Sequence, residues 1–185
     1  MALSESPRKA TIFDRDGVVN ALVDRGEDFA ANGFPMRFMA PFTFAEFELL
    51  PNVREALAIT RERGYLNILA TNQPDIALGR IQPDEFERMM AVVKAHGFDA
   101  MYVCKHRPKH GCDCRKPKPG MLLQARDEHR LDLSASYFVG DMETDVEAGI
   151  AAGVKTVLVT ENLNLATRAD FKVNSILHFA QLIPR

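Results

Sequence analysis

Near the start of the chain stands the stretch Ala10-Thr11-Ile12-Phe13-Asp14-Arg15-Asp16-Gly17. Its first half is a short, β-rich apolar run, which is typical of a buried strand. Its second half places two carboxylates, Asp14 and Asp16, directly after that run. An Asp-x-Asp-Gly segment by itself also occurs in calcium loops and in ordinary turns. Its meaning therefore depends on what the rest of the chain places beside it.

The remainder of the chain alternates short apolar runs with longer amphipathic segments, which indicates an α/β protein with a mainly parallel sheet. Asn52 and Glu55 resemble a capping box at the start of one helix, and Gly64, Gly97 and Gly153 stand where helical patterns end. We predict a Rossmann-like three-layer sandwich, with about five strands flanked by helices. The predicted strands are residues 10–14, 65–71, 99–103, 136–139 and 154–159, and the predicted helices are residues 53–63, 83–96, 119–129, 143–152 and 175–182.

Composition excludes several classes of protein. The chain has 185 residues, 46% hydrophobic and 26% charged, which is ordinary for one globular domain over residues 1–185. A net charge of −2 lacks the basic excess of proteins that bind nucleic acid non-specifically. No window approaches the roughly 18 apolar residues of a membrane helix, and residues 1–10 lack the apolar core of a secretory signal. We therefore expect a cytoplasmic monomer or small homo-oligomer, with neither nucleic acid nor membrane as a partner.

The segment 18–50 interrupts the alternation of strands and helices and contains six of the twelve phenylalanines. Two interpretations remain open from the sequence. The segment could be a long loop whose aromatic side chains pack on their own domain. Alternatively, it could be a small lid over a pocket or an oligomer contact, because long structured loops in compact domains are often functional.

Polar clusters follow the predicted strands. Thr71 and Asn72 end the second strand, Arg115 and Lys116 come after the third, and Gly140, Asp141 and Asp145 follow the fourth. Each cluster alone has a simple explanation as a turn, a solvated charge or a helix cap. Parallel strands, however, bring their carboxyl ends to one edge of the sheet, where such proteins bind ligands. Carboxylates gathered there would repel one another without a hard cation, and magnesium prefers such oxygen ligands.

All three cysteines lie in one short stretch, at Cys104, Cys112 and Cys114. With His106 they supply the soft tetrahedral donor set of a structural zinc site, in a loop over residues 104–114. His110 could replace His106 as a ligand. Four protein ligands leave no open position, so the predicted Zn²⁺ is structural and stiffens the loop that leads to Arg115 and Lys116.

The sequence resembles the haloacid dehalogenase superfamily of phosphohydrolases over nearly its whole length. The matching motifs are Asp14-Arg15-Asp16-Gly17, Thr71-Asn72, Lys116 and Gly140-Asp141-Met142-Glu143-Thr144-Asp145. The resemblance implies a magnesium-dependent phosphomonoester hydrolase with a minimal cap. It also implies that Asp14 is the nucleophile that forms an aspartyl-phosphate, that Asp16 is the general acid and base, and that Thr71 and Lys116 hold the phosphoryl oxygens.

The same resemblance implies ligands for Mg²⁺. These are the carboxylates of Asp14 and Asp141 and the backbone carbonyl of Asp16, with Asp145 as an inner ligand or an outer support. For the substrate it implies contacts from Asn72 and Arg115.

The cysteine cluster and the run from Cys114 to Met121 resemble the branch that contains the heptose 1,7-bisphosphate phosphatases and the histidinol-phosphate phosphatases. The expected partner is therefore a small-molecule sugar phosphate, with histidinol phosphate as the alternative substrate. A rival of another class is a phospho-acceptor receiver domain, which also uses Asp, Thr, Lys and magnesium. Such a domain would lack Asp16 as its acid and base.

Overall fold

The computed structural model describes residues 6–31 and 33–185. In chain order the strands are β1 (Lys9–Phe13), β2 (Val23–Asp24), β3 (Ala30–Ala31), β4 (Phe34–Pro35), β5 (Phe38–Met39), β6 (Tyr65–Asn72), β7 (Ala100–Cys104), β8 (Tyr137–Gly140), β9 (Lys155–Val159) and β10 (Phe171–Val173). The helices are α1 (Val53–Glu62), α2 (Pro74–Ala77), α3 (Pro83–Ala95), α4 (Gly120–His129), α5 (Glu143–Ala152) and α6 (Ile176–Leu182). The predicted α/β class is confirmed.

The main sheet has the strand order β10-β9-β8-β1-β6-β7, and its neighbouring strands pair in parallel. Strand β1 lies in the middle, with Phe13 opposite Leu69 of β6 on one side and Val139 of β8 on the other. Because the strands are parallel, the residues that follow Phe13, Leu69 and Val139 emerge at the same edge. This register sets the position of the site.

Alternate residues of β1 point to opposite faces of the sheet, as the pleat requires. Phe13 packs in a cluster with apolar side chains of α1, α3 and α6, including Leu57, Met89 and Phe179. Ile12 packs in a second cluster on the other face, with side chains of α4 and α5. Both clusters are almost fully buried, so helices flank the sheet on both faces and form the three predicted layers.

One strand of the sheet was not predicted, and the capping box predicted for α1 was wrong. The sheet has six strands because β10 pairs with β9, and this three-residue strand is too short to produce a clear alternation of apolar and polar residues. Asn52 does not form a capping box, since its backbone is left-handed (φ 63°) and its side chain makes no cap hydrogen bond. Asparagine tolerates that conformation better than most residues.

The segment 18–50 contains two small antiparallel sheets, β2 with β5 and β3 with β4. Phe42, Phe44 and Phe47 pack against the main core, as the packing interpretation predicts. Phe34 and Phe38 are instead exposed, by 69% and 53%, and Phe38 lines the cleft described below. The later part of the segment thus packs against the core, whereas Phe38 borders the cleft.

Within the described part of the chain, none of the helices has the length and apolarity needed to span a bilayer. The prediction about a secretory signal rests partly on residues 1–5, which lie outside the described residues.

Candidate active site

A cleft of about 280 Å³ lies at the carboxyl edge of the sheet, and Asp14, Asp16, Lys116, Asp141 and Asp145 line it. Lys116 stands at its centre, with Nζ 2.9 Å from Asp14 Oδ1 and 2.7 Å from Asp145 Oδ1. The same ammonium donates to the carbonyl oxygen of Ala70 at 3.1 Å. Residues more than a hundred positions apart in sequence therefore form one charged cluster.

Two glycines permit this close approach. Gly17 has a φ of 78°, and a Cβ at this position would overlap the Asp141 carboxylate. A Cβ at Gly140 would overlap the side chain of Asp145. Residue 17 must be glycine because of its positive φ and its contact with Asp141, and residue 140 must be glycine because any side chain would overlap Asp145.

Two carboxyl groups of the cluster, Asp14 and Asp141, resist ionisation. Burial, together with the charges of Asp145 and Asp16, raises the pKa of Asp14 to about 6, although Lys116 acts in the opposite direction. Burial and the charges of Asp14 and Asp145 raise the pKa of Asp141 to about 8. Burial alone would lower the pKa of Lys116, but the charges of Asp14 and Asp145 outweigh it and raise that pKa. The single ammonium group of Lys116 thus does not neutralise the carboxylates of the cluster.

The donor set fits a hard divalent cation. One carboxylate oxygen from each of Asp14, Asp141 and Asp145 lies within 4.8 Å of the others. Oxygen donors at such spacing are typical of Mg²⁺ sites, and a cation would offset the burial and the mutual repulsion that raise the pKa values of Asp14 and Asp141. The Asp16 side chain is engaged elsewhere, so any contribution from Asp16 would come from its backbone carbonyl.

The side chains predicted to bind phosphate and substrate have distinct surroundings. Thr71 is buried, and its hydroxyl accepts a hydrogen bond from Gln73 Nε2 at 3.0 Å. Asn72 clamps the backbone of Lys116, because Oδ1 accepts from the Lys116 N–H and Nδ2 donates to the Lys116 carbonyl, both at 3.1 Å. Arg115 lines the cleft, and its buried Nη1 has no hydrogen-bond partner among the described residues.

Asp16 is surrounded by donors that the sequence reasoning missed. Its Oδ1 accepts from Arg15 Nη2 at 2.8 Å and from Asn20 Nδ2 at 3.0 Å. Its Oδ2 accepts from Gln73 Nε2 at 2.6 Å. The available signal was the position of Arg15 between two aspartates, but no periodicity shows that a charged side chain there turns into the core.

A second cluster joins Cys104, His106, Cys112 and Cys114. Cys104 Sγ lies 3.7 Å from Cys112 Sγ and 3.6 Å from His106 Nδ1, and Cys114 Sγ lies 3.4 Å from Cys112 Sγ and 3.2 Å from His106 Nδ1. A tetrahedral ion with bonds of about 2.3 Å to sulfur separates its sulfur ligands by about 3.8 Å. The donor set therefore fits Zn²⁺, with His106 as the nitrogen donor. His110 stacks on His106 with ring centroids 4.2 Å apart and lies outside the set.

The chemistry of these thiols also favours a cation. Burial and the neighbouring sulfurs of Cys104 and Cys112 raise the pKa of Cys114 to about 12. Burial alone would raise the pKa of Cys112, but hydrogen bonds from Cys114 and Cys104 outweigh it and lower that pKa. A metal ion would offset the raised pKa of Cys114, because a coordinating thiol is deprotonated by the ion it binds.

Two contacts connect this cluster to the cleft. The Gln73 N–H donates to the Cys104 carbonyl at 2.8 Å, and Asn72 holds Lys116 as described above. The loop over residues 104–114 is thus attached at one end to the strand that carries Thr71 and at the other end to Lys116.

Comparison with known proteins establishes the family. A profile of the HAD-hydrolase-like family matches residues 113–177. The D-glycero-β-D-manno-heptose-1,7-bisphosphate 7-phosphatase of Vibrio cholerae is 36% identical to this chain over an alignment of 191 positions, gaps included. The alignment covers 96% of this chain and 95% of that protein. The chain belongs to the haloacid dehalogenase-like phosphatases. This chain is also 35% identical to the D-glycero-α-D-manno-heptose-1,7-bisphosphate 7-phosphatase of Burkholderia mallei. That alignment extends over 164 residues and covers 82% of this chain and 79% of that protein.

This haloacid dehalogenase-like phosphatase shares its fold with a protein of known structure. That protein is the D,D-heptose 1,7-bisphosphate phosphatase of B. bronchiseptica, complexed with magnesium and phosphate. The TM-score is 0.75 at 27% identity, over 94% of this chain and 96% of that chain. The predicted family is confirmed.

Proposed function

We propose that this phosphatase hydrolyses the 7-phosphate of D-glycero-D-manno-heptose 1,7-bisphosphate through an aspartyl-phosphate on Asp14. The grouping of Asp14, Asp141 and Asp145 around the Lys116 ammonium carries the proposal, since it combines a nucleophile with the charges that phosphoryl transfer requires. The names of the relatives support a heptose bisphosphate as the substrate.

In the first half-reaction, an Asp14 carboxylate oxygen attacks phosphorus and the bond from phosphorus to the sugar oxygen breaks. Asp16 gives its proton to the departing sugar oxygen, which leaves as an alcohol. In the second half-reaction, Asp16 accepts a proton from water, the water oxygen bonds to phosphorus, and the bond to Asp14 breaks. Asp14 is thereby restored and inorganic phosphate is released.

Fixed donors hold the phosphoryl group during both steps. The Lys116 ammonium is already within 2.9 Å of the Asp14 oxygen, so it lies where negative charge develops. The Thr71 hydroxyl is a second donor at this end of the sheet. Asp145 orients the ammonium through its 2.7 Å contact. Asp14 and Asp141, with Asp16 through its carbonyl, would hold Mg²⁺, which would supply the positive charge that the carboxylate cluster and the phosphoryl group need.

The second phosphate of the substrate requires a cation away from the reacting centre. Arg115 would provide one, because it is a cationic residue that lines the cleft. A planar guanidinium suits phosphate oxygens. Arg115 therefore supports a bisphosphate over a monophosphate.

We also propose that Cys104, His106, Cys112 and Cys114 bind a structural Zn²⁺, supported by the donor distances given above. We further propose a cytoplasmic enzyme, because charged sugar phosphates do not cross a bilayer unaided and stay where they are made.

The substrate proposal is tested by comparing kcat/KM for the α and β anomers of heptose 1,7-bisphosphate, for histidinol phosphate and for an aryl phosphate, all with Mg²⁺. We expect one heptose anomer to exceed histidinol phosphate and the aryl ester by about 100-fold, equivalent to about 2.7 kcal/mol of transition-state stabilisation. The Asp14→Asn variant should be inactive on every ester, because its amide is not a nucleophile.

Several results would contradict the proposal. Activity retained in Asp14→Asn would exclude an aspartyl-phosphate at this position. A preference for histidinol phosphate would assign the other substrate, and a long-lived phospho-Asp14 without turnover would identify a receiver-like module.

A further inference from the structure

Arg15 is an unusual residue for the interior of a small domain. Its side chain is fully buried, with the guanidinium 5.8 Å from the centre of the Phe86 ring and Nη1 3.9 Å from the Met90 sulfur. Among the described residues, its ion-pair partner is Asp16. A buried cation needs such a partner, because the loss of hydration is not otherwise compensated.

The contacts to Asp16 engage both carboxylate oxygens. Arg15 binds Oδ1 through Nε at 3.1 Å and Nη2 at 2.8 Å, and Nη2 also reaches Oδ2 at 3.1 Å. Asn20 Nδ2 donates to Oδ1 and Gln73 Nε2 donates to Oδ2. An aspartate side chain otherwise has three staggered χ1 positions, so these donors select one of them.

The two amides are oriented toward Asp16 at a cost to themselves. The carbonyl oxygens of Asn20 and Gln73, Oδ1 and Oε1, are buried without a hydrogen-bond partner among the described residues. A buried acceptor left unpaired costs about 1–3 kcal/mol. The donor side of each amide is instead directed to Asp16, and Asn20 Nδ2 also donates to the Ala21 carbonyl oxygen at 2.9 Å.

Gln73 further connects Asp16 with the phosphate-binding end of β6. The same Nε2 atom donates to Asp16 Oδ2 at 2.6 Å and to Thr71 Oγ1 at 3.0 Å. One amide nitrogen therefore links the acid-base group to the hydroxyl that is proposed to hold the phosphoryl group. The Gln73 backbone is itself held by Cys104.

We propose that Arg15 and Gln73, supported by Asn20, are positioning residues that hold the Asp16 carboxyl group beside the scissile bond. This inference rests on the proposed function, in which Asp16 protonates the sugar oxygen and then accepts a proton from water. Both transfers need Asp16 within hydrogen-bond reach of an oxygen on phosphorus, so a carboxyl group free to rotate would lose both.

The test compares Gln73→Met, which keeps the length of the side chain and removes its donors, with Gln124→Met on the exposed side of α4. We expect Gln73→Met to lower kcat on the sugar phosphate by about 10- to 100-fold with KM changed less than about twofold. Gln124→Met should match the wild type. Gln73→Glu keeps the shape but places a second carboxylate against Asp16, and should be at least as slow as Gln73→Met.

Single-turnover phosphoryl transfer separates positioning from a general structural loss. Nitrophenyl phosphate releases a phenolate that needs little protonation, so its first step should be slowed much less by Gln73→Met than that of the sugar phosphate. Equal slowing of both esters, or a rise in KM alone, would overturn the inference while leaving the phosphatase proposal intact. A wild-type enzyme that turns over neither ester would overturn the proposed function and this inference with it.

Discussion

Lys116 shows how one residue can organise the site. It is 3% exposed, and its ammonium contacts two carboxylates and a backbone carbonyl. Its backbone is held by Asn72 at the end of β6. The ammonium is therefore fixed both by its own contacts and through the main chain, which is the condition for a donor that stabilises a transition state without reorganising.

We expect Lys116→Met to lower kcat by about 10²- to 10³-fold, the usual cost of removing one charged donor from such a site. The variant also leaves Asp14 and Asp145 without their ammonium, so the melting temperature without Mg²⁺ should fall at neutral pH. Lys118→Met is the matched control, because Lys118 is exposed and pairs with Asp113 at the surface. Steady-state kinetics and thermal denaturation measure both effects, and equal behaviour of the two variants would contradict the role given to Lys116.

At the scale of elements, the loop over residues 104–114 has little regular structure of its own. The described chain passes from β7 at Cys104 to α4 at Gly120 without another helix or strand. The loop nevertheless precedes Arg115 and Lys116, whose positions must be accurate to fractions of an ångström. We propose that a metal ion held by these four donors replaces the order that a helix or strand would provide.

We expect Cys112→Ser to lower both the zinc content, from about one ion per chain, and the melting temperature, because metal binding and folding of such loops are coupled. The value of kcat/KM should fall as well, since Arg115 and Lys116 lose their support. Asp113→Asn is the control, because this side chain is 92% exposed and lies between two of the proposed ligands. Full zinc content and full activity in Cys112→Ser would show that the cluster does not hold a structural ion.

At the scale of the whole molecule, the active site is a source of instability without a cation. The pKa values of Asp14 and Asp141 are raised from 3.8 to about 6 and about 8. Between pH 4 and 8 the folded chain therefore retains protons that the unfolded chain has lost. Because the folded state binds more protons there, these groups make the free energy of unfolding smaller as the pH rises.

We expect thermal denaturation without Mg²⁺ to show stability that declines from pH 5 to pH 8 through these two groups, and less decline in Asp141→Asn. Magnesium should raise the melting temperature more at pH 8 than at pH 5, since protons compete with the ion for the same oxygens. A magnesium effect that is larger at pH 5 would contradict this linkage.

The sequence by itself determined the α/β class, the strand-end positions of Asp14, Thr71 and Asp141, and the donor set of the cysteine cluster. These follow from periodicity and spacing, which are local properties of the chain. The tertiary structure decided what depends on contacts between distant residues. It placed β1 between β6 and β8, paired Lys116 with Asp145, assigned the Asn72 amide to the Lys116 backbone and directed Gln73 to Asp16. Such contacts depend on side-chain rotamers and strand order, and neither leaves a periodic signal in the chain.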